Sequence, residues 1–190
     1  MTIKAIISQN MIFYAERDFK GQLKSLVDKH IGREISFMEQ SKIGVKGSPN
    51  FYLKTLKIDG REIDFSCANS RGSFEKYSQG LKFRTKYRNE VYCLVIGNIQ
   101  DLRVEILGGN EDISPLFLSP MNLLLKLGLS IRYSRYFRLK LSEYSVSEVV
   151  LNIFADNEEL SLTTNGYNNY GTIGFFRPIV KVIEKGKTST

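Results

Sequence analysis

The chain has no tryptophan and a single histidine, His30, among its 190 residues. One imidazole excludes the zinc sites that need two histidines on one helix face, and His-rich metal clusters with them. Any proton transfer that requires an imidazole has only His30 to use. Cysteine is nearly as scarce, with Cys67 and Cys93 far apart and outside any Cys-x-x-Cys spacing. That excludes a zinc ribbon and a multi-bridge disulfide framework. Cys93 falls in the apolar run 91–96 and is expected to be a buried thiol. Long apolar runs are missing too: nothing approaches the roughly 20 residues of a membrane-spanning helix. Residues 1–9 lack the apolar core and small-residue cleavage site of a signal peptide. No membrane is expected as a partner, and a reducing cytoplasm is the expected compartment.

What is present is ordinary in kind and biased in charge. Hydrophobic residues make up 42% and charged residues 25% of the chain, enough to build a core without staples. Lys and Arg number 27 against 20 acids, a net charge of +7. A surplus of that size points to a polyanionic partner. The length suits one large domain or two small ones.

Residues 2–8 read as a first strand. A helix follows, with Asp18 as candidate N-cap and a stripe of Phe19, Leu23, Leu26, Val27 and Ile31 at helical spacing; Gly32 is the candidate C-cap. His30 sits at its end, where the partial negative charge of a helix C-terminus favours an imidazolium. Residues 33–38 read as a strand. Runs 51–58 and 61–67 flank Asp59-Gly60, a strong hairpin signal. Residues 74–84 read as a second helix, and 91–96 and 102–107 as strands. The order approaches the β-α-β-β-α-β of a ferredoxin-like unit with added strands. Beyond a polar break at 108–114, a short apolar helix is expected at 120–129, then strands at 136–141, 149–154 and 159–163. A tail at 166–180 is rich in glycine and aromatics, and 184–190 is polar and expected to fray. The expected class is α+β, with a ferredoxin-like N-terminal half (1–107) and a β-rich, RNA-binding C-terminal half (108–190).

Two stretches concentrate the charge. Residues 76–88 carry Lys76, Lys82, Arg84, Lys86 and Arg88 with no acid, and 113–142 carry Lys126, Arg132, Arg135, Arg138 and Lys140, again with no acid. The second includes Arg132-Tyr133-Ser134-Arg135-Tyr136-Phe137-Arg138, in which cations that neutralise phosphates alternate with rings on which unpaired bases stack. An RNA is the expected partner. The plainer alternative is an amphipathic strand with a basic outer face.

His30 is followed by Lys42-Ile43-Gly44-Val45 and Pro49. Ser145-Val146-Ser147-Glu148 precedes the run Val149-Val150-Leu151-Asn152-Ile153, and the tail reads Gly166-Tyr167-Asn168-Asn169-Tyr170-Gly171. In this order the series resembles the repeat-cleaving endoribonucleases of type I-F CRISPR systems, members of the glycine-loop RNA-binding superfamily. The resemblance implies that His30 is catalytic, that Ser145 positions the attacking 2′-hydroxyl, and that Tyr170 stands beside them. It implies a hairpin repeat RNA as substrate and no metal or other cofactor. The chemistry would be attack of a 2′-hydroxyl on the adjacent phosphate, leaving a 2′,3′-cyclic phosphate. The family's arginine-rich helix has its nearest counterpart in Arg132, Arg135 and Arg138, and 50–130 does not align.

Two other classes remain open from the sequence. A non-catalytic RNA-binding subunit, or a phage-encoded protein acting on an RNA-guided complex, would carry the same pattern and would bind without cutting. Asp59, Glu62 and Asp64 around the hairpin faintly resemble the carboxylate hairpin of metal-dependent nucleases, but Asp64-Phe65-Ser66 lacks the lysine such sites need.

Overall fold

The computed structural model describes residues 5–42, 47–87 and 89–185. The chain is mixed α/β, and most of it is one large, mostly antiparallel sheet. In chain order the strands are β1 (Ile6–Ile7), β2 (Met11–Ala15), β3 (Phe51–Ile58), β4 (Arg61–Asp64), β5 (Arg71–Lys76), β6 (Leu81–Tyr87), β7 (Glu90–Ile96), β8 (Arg103–Gly108), β9 (Glu111–Ile113), β10 (Tyr144–Val146), β11 (Val149–Ala155), β12 (Glu158–Thr164) and β13 (Lys181–Lys185). The helices are α1 (Gly21–Ile31), α2 (Phe37–Lys42), α3 (Pro120–Lys126), α4 (Ile131–Ser134) and α5 (Asn169–Phe176).

The strand order is β1-β2-β7-β6-β5-β3-β12-β11-β8-β13, with β4 paired to β3 and a separate β9–β10 ribbon. Every pairing in the large sheet is antiparallel except β13 on β8. Strands from both sides of residue 107 therefore alternate in one sheet, with β3 beside β12. The sheet curls until its distant strands meet. The Asn10 amide at the start of β2 donates to the Asp156 carboxylate in the β11–β12 turn at 2.7 Å. The concave side encloses one core, to which Phe13, Phe51, Phe83, Leu94, Val104, Leu151 and Leu160 all contribute. Helix α5 fills it from the open side, with Phe176 edge-on to Phe51 and Phe74. Burying each such side chain contributes about 1.5–3 kcal/mol. On the convex side α1 lays Val27 and Ile31 over Ile12, Tyr14, Cys93 and Val95.

Several expectations hold. Asp59 and Gly60 take the left-handed φ values of 50° and 68° that a two-residue hairpin loop requires. Gly32 caps α1, and His30 lies in its last turn. Cys93 is buried. The short apolar helix expected at 120–129 is α3, which ends at Lys126; Ser119, not singled out in the sequence, caps it by accepting from the Asn122 amide at 3.1 Å, with Pro120 in the first turn.

Others are corrected. Residues 74–84 form no helix: they belong to the β5–β6 hairpin, where Phe74, Leu81, Phe83 and Thr85 point inward with a period of two. The second helix of a ferredoxin-like order is thus replaced by strands. Residues 33–38 are not a strand. Ser36 opens α2 with a reciprocal cap, its hydroxyl accepting from the Glu39 amide at 3.3 Å while the Glu39 carboxylate accepts from the Ser36 amide at 3.0 Å. The N-cap of α1 is Lys20, since Glu16–Asp18 is spent in a 3-10 turn. Of the strand expected at 2–8, residues 2–4 lie outside the described residues and Ile6–Ile7 form the short β1; the longer strand β2 follows, where Ser8 turns the chain by donating to the Met11 carbonyl at 2.7 Å. Residues 136–141 are turns, not a strand, and residues 184 and 185 are drawn into β13 by pairing with β8.

Candidate nucleic-acid interface

Residues 114–143 leave the separate β9–β10 ribbon after β9 and return to it at β10. One carboxylate ties this excursion together. Glu143 is fully buried and accepts from the backbone amides of Leu139 (2.7 Å), Lys140 (2.9 Å) and Leu116 (3.3 Å). The Ser119 hydroxyl, then those amides, hold its pKa below the usual carboxylate range. Sequence reading missed Glu143 because it lies one residue past the acid-free run.

The tie fixes α4 and the 3-10 turn Arg135–Phe137 that continues it. Residues spaced by three in such a run share one side, and Arg132, Arg135 and Arg138 each meet a tyrosine ring. The Arg132 guanidinium lies 5.5 Å from the Tyr170 ring centroid and that of Arg138 5.6 Å from Tyr167. Arg135 lies 5.1, 5.8 and 5.9 Å from the rings of Tyr136, Tyr144 and Tyr167. Each contact is within cation–π reach. Among the described residues none of the three has a carboxylate ion-pair partner. The tyrosines are themselves tethered. The hydroxyls of Tyr144 and Tyr170 both donate to Glu111 Oε1, at 3.0 and 2.9 Å, and the Tyr167 hydroxyl donates to the Tyr144 carbonyl at 3.1 Å. Burial, then the Glu111 carboxylate, raises the Tyr170 pKa, while the Arg135 hydrogen bond lowers that of Tyr136. Tyr133 and Tyr136 stand 62% and 74% exposed beside this cluster.

Ser145 is exposed on β10, opposite Asp112 and one residue from the Glu111–Val146 pair. The structure therefore brings Ser145, Tyr170 and the three arginines to one end of the sheet, with exposed Lys140 close in sequence. His30 is elsewhere. Its Nε2 donates to the Asn10 carbonyl at 2.9 Å, and Asn10 in turn holds Asp156 beyond the far end of β11. Ser145–Val146 lead into the near end of β11 at Val149. The length of β11, six residue steps, is about 20 Å at the usual strand rise. The three residues that the family resemblance makes one catalytic centre are not adjacent.

The other basic stretch is a separate surface. Lys82, Arg84 and Lys86 alternate along the convex face of β6, four strands from β11 in the sheet. Arg84 is already paired, with Glu16 at 2.8 Å. Arg88 and residues 43–46 lie outside the described residues. The hairpin acids are committed locally or spread apart: Asp64 accepts from the Ser66 amide at 2.8 Å and from its hydroxyl. Among the described residues no group of three or more His, Cys, Asp or Glu side chains is placed to hold a metal ion. No helix among them is long and apolar enough to cross a membrane.

Comparison with family models, with curated proteins and with solved structures gives no match. The likeness to repeat-cleaving endoribonucleases rests on the motifs quoted above.

Proposed function

We propose that this chain binds RNA through the face carrying Arg132, Arg135, Arg138 and Lys140, and that it binds without cutting. The observation that carries this is the set of three guanidiniums stacked on tethered tyrosines with, among the described residues, no carboxylate of their own. Cations pre-ordered in this way are available to phosphates, and the exposed rings of Tyr133 and Tyr136 offer platforms for unpaired bases. Glu111 and Glu143 do not cancel this charge outward, since one is engaged by two phenols and the other is buried under backbone amides. Against cleavage stands the separation of His30 from Ser145 and Tyr170, because transfer of a 2′-hydroxyl proton needs the base within hydrogen-bond reach of the same phosphate.

The test is fluorescence anisotropy with a labelled hairpin RNA and an unpaired strand across a salt series, the same samples then run on a denaturing gel. The expected result is binding that weakens with salt and RNA that stays intact. Failure to bind at low salt removes the proposal. Cutting that leaves a 2′,3′-cyclic phosphate, and that is lost in His30→Ala, restores the endoribonuclease.

A further observation favours an assembly. Phe117 and Leu118 in the same excursion are 79% and 86% exposed. Leu123, Leu127, Leu139 and Leu141 of the same excursion are exposed as well, and apolar side chains gathered in this way are the kind of surface that partners cover. Other subunits of an RNA-guided complex are the class of neighbour that fits both this patch and the basic face.

A further inference from the structure

A cavity of about 700 Å³ opens beside His30, where β2 begins and β7 ends, at the opposite end of β11 from the arginine–tyrosine face. We propose that it is a binding site for a nucleotide, one base with one phosphate. The proposal stands independently of the RNA face.

The volume lies within the range of small-molecule sites. The chemistry of the wall narrows the ligand. The carboxamides of Gln9, Gln79 and Gln100 line it, and among the described residues none of the three has a hydrogen-bond partner from its side chain. Each presents a donor beside an acceptor, the complement of a base edge. Lys76 supplies the cationic group for the phosphate, and His30 Nδ1, with Nε2 donating to Asn10, stands as an acceptor for a donor on the base or ribose. Lys76 has no ion-pair partner among the described residues. The His30 ring is already fixed by Asn10, which leaves Nδ1 as its remaining polar atom. Ile99, Pro178 and Ile179 give the apolar surface against which a base face packs. Among the described residues no acid lines the cavity, which disfavours a cation.

The site is also built around His30. A Cβ on Gly97 would come within 2.5 Å of Nε2, so the absence of a side chain there lets the imidazole sit against the end of β7.

Because the chain has one histidine, its imidazole nitrogens give unambiguous NMR signals in the whole protein. The experiment titrates the four ribonucleoside 5′-monophosphates, the matching nucleosides, inorganic phosphate, and a short oligonucleotide ending in a phosphate. The expected result is a saturable His30 shift with at least one monophosphate, at concentrations about tenfold below those needed with its nucleoside or with phosphate, the worth of one charge-assisted hydrogen bond. Lys76→Ala, and separately Gln79→Ala with Gln100→Ala, weaken it by a similar factor. Gln79 and Gln100 are exposed and Lys76 is half-buried, and an unchanged amide spectrum shows that the variants are folded. Saturation by the oligonucleotide but not by free monophosphates also supports the site and assigns its ligand to a strand end. A shift as strong with phosphate alone, or none with any of the probes, overturns the proposal. Neither outcome touches binding at the arginine face.

Discussion

Arg135 and Tyr144 hold one another across nine residues of chain: the guanidinium Nη1 donates to the phenol oxygen at 3.4 Å, and its carbon lies 5.8 Å from the ring centroid. Tyr144 is itself fully buried and bonded to Glu111. The cation is thus held on a rigid base, whereas Lys82 stands half-buried beside α1 and Lys86 is exposed farther along β6 with no such tether. Replacing Arg132, Arg135 and Arg138 together with Ala is expected to weaken RNA binding and to flatten the log–log salt slope by about 2, at roughly 0.7 per phosphate contact on single strands. Lys82→Ala with Lys86→Ala is expected to change the slope by less than half of that. Equal effects from the two sets would show that the tethered arginines are not the primary contact. Anisotropy titrations at several salt concentrations measure both.

Gly97→Ala tests how His30 is placed. The new methyl group overlaps the imidazole, so the ring must move and its bond to the Asn10 carbonyl must lengthen or break. Overpacking of this kind costs about 1–3 kcal/mol, read as a lower denaturant midpoint with an unchanged slope. The imidazole NMR signals should shift. Affinity for RNA at the far end of β11 should stay within about twofold, since sites with no shared partners act independently. A large loss of RNA affinity would mean that His30 belongs to the RNA site after all.

Glu143→Gln keeps the shape of the side chain and removes its charge. The 114–143 excursion should loosen while the sheet remains, seen as several-fold faster amide exchange at Leu139 and Lys140 and little change at Leu94 or Leu151. Wild type should show the same loosening in acid. A carboxylate whose folded pKa is depressed adds stability above its ordinary pKa and loses it as the pH falls through the folded value. Exchange at those two amides that is insensitive to pH below the carboxylate range would remove Glu143 from this role.

The sequence showed some elements because their cause is local. Asp59-Gly60 is legible because a two-residue loop needs left-handed φ, and α1 because Val27 and Ile31 recur one turn apart on its buried side, with Leu23 half-buried beside them and Leu26 left exposed. Met11–Ala15 is hidden for the opposite reason. Both of its faces are covered, by the core and by α1, so no alternation appears. Residues 74–84 misled because a turn at 77–80 interrupts the two-residue period of Phe74, Leu81 and Phe83, and the remnant fits a helical spacing. The Ser36–Glu39 cap was written in the chain and passed over. At the candidate interface, the spacing of Arg132, Arg135 and Arg138 could be read directly. The convergence of Tyr144, Tyr167 and Tyr170 beneath them could not, because it depends on β9 pairing with β10 and on where α5 enters the core. The same long-range geometry sets His30 apart from Ser145, although motif order along the chain joined them.

The two thiols should differ sharply in reactivity. Cys67 is exposed, whereas burial pushes the Cys93 thiol above its ordinary pKa and keeps reagent out. An Ellman titration of the native protein should find one fast thiol, and two after denaturation. Cys67→Ser should leave no fast thiol. Two fast thiols in the native protein would mean that α1 opens readily from β2 and β7.

The layer under α1 should also fail in alkali. Burial, more than the neighbouring acids, raises Tyr77 from 10.0 to about 12, and burial raises Tyr14, which hydrogen-bonds Cys93, further still. The folded state favours the neutral form of each of these acids. The stability they contribute is therefore complete below their ordinary pKa and is lost as the pH rises towards the folded value. For Tyr77 that window runs from about 10 to about 12. The denaturation midpoint should fall across it, and ultraviolet absorbance should show a phenolate step that coincides with the loss of α1 packing. Tyr77→Phe should remove part of the slope without lowering the stability at neutral pH by more than about 1 kcal/mol, since it deletes only a hydroxyl. A midpoint independent of pH up to 12 would show that these phenols ionise in place, and that the helix does not rely on their neutral form.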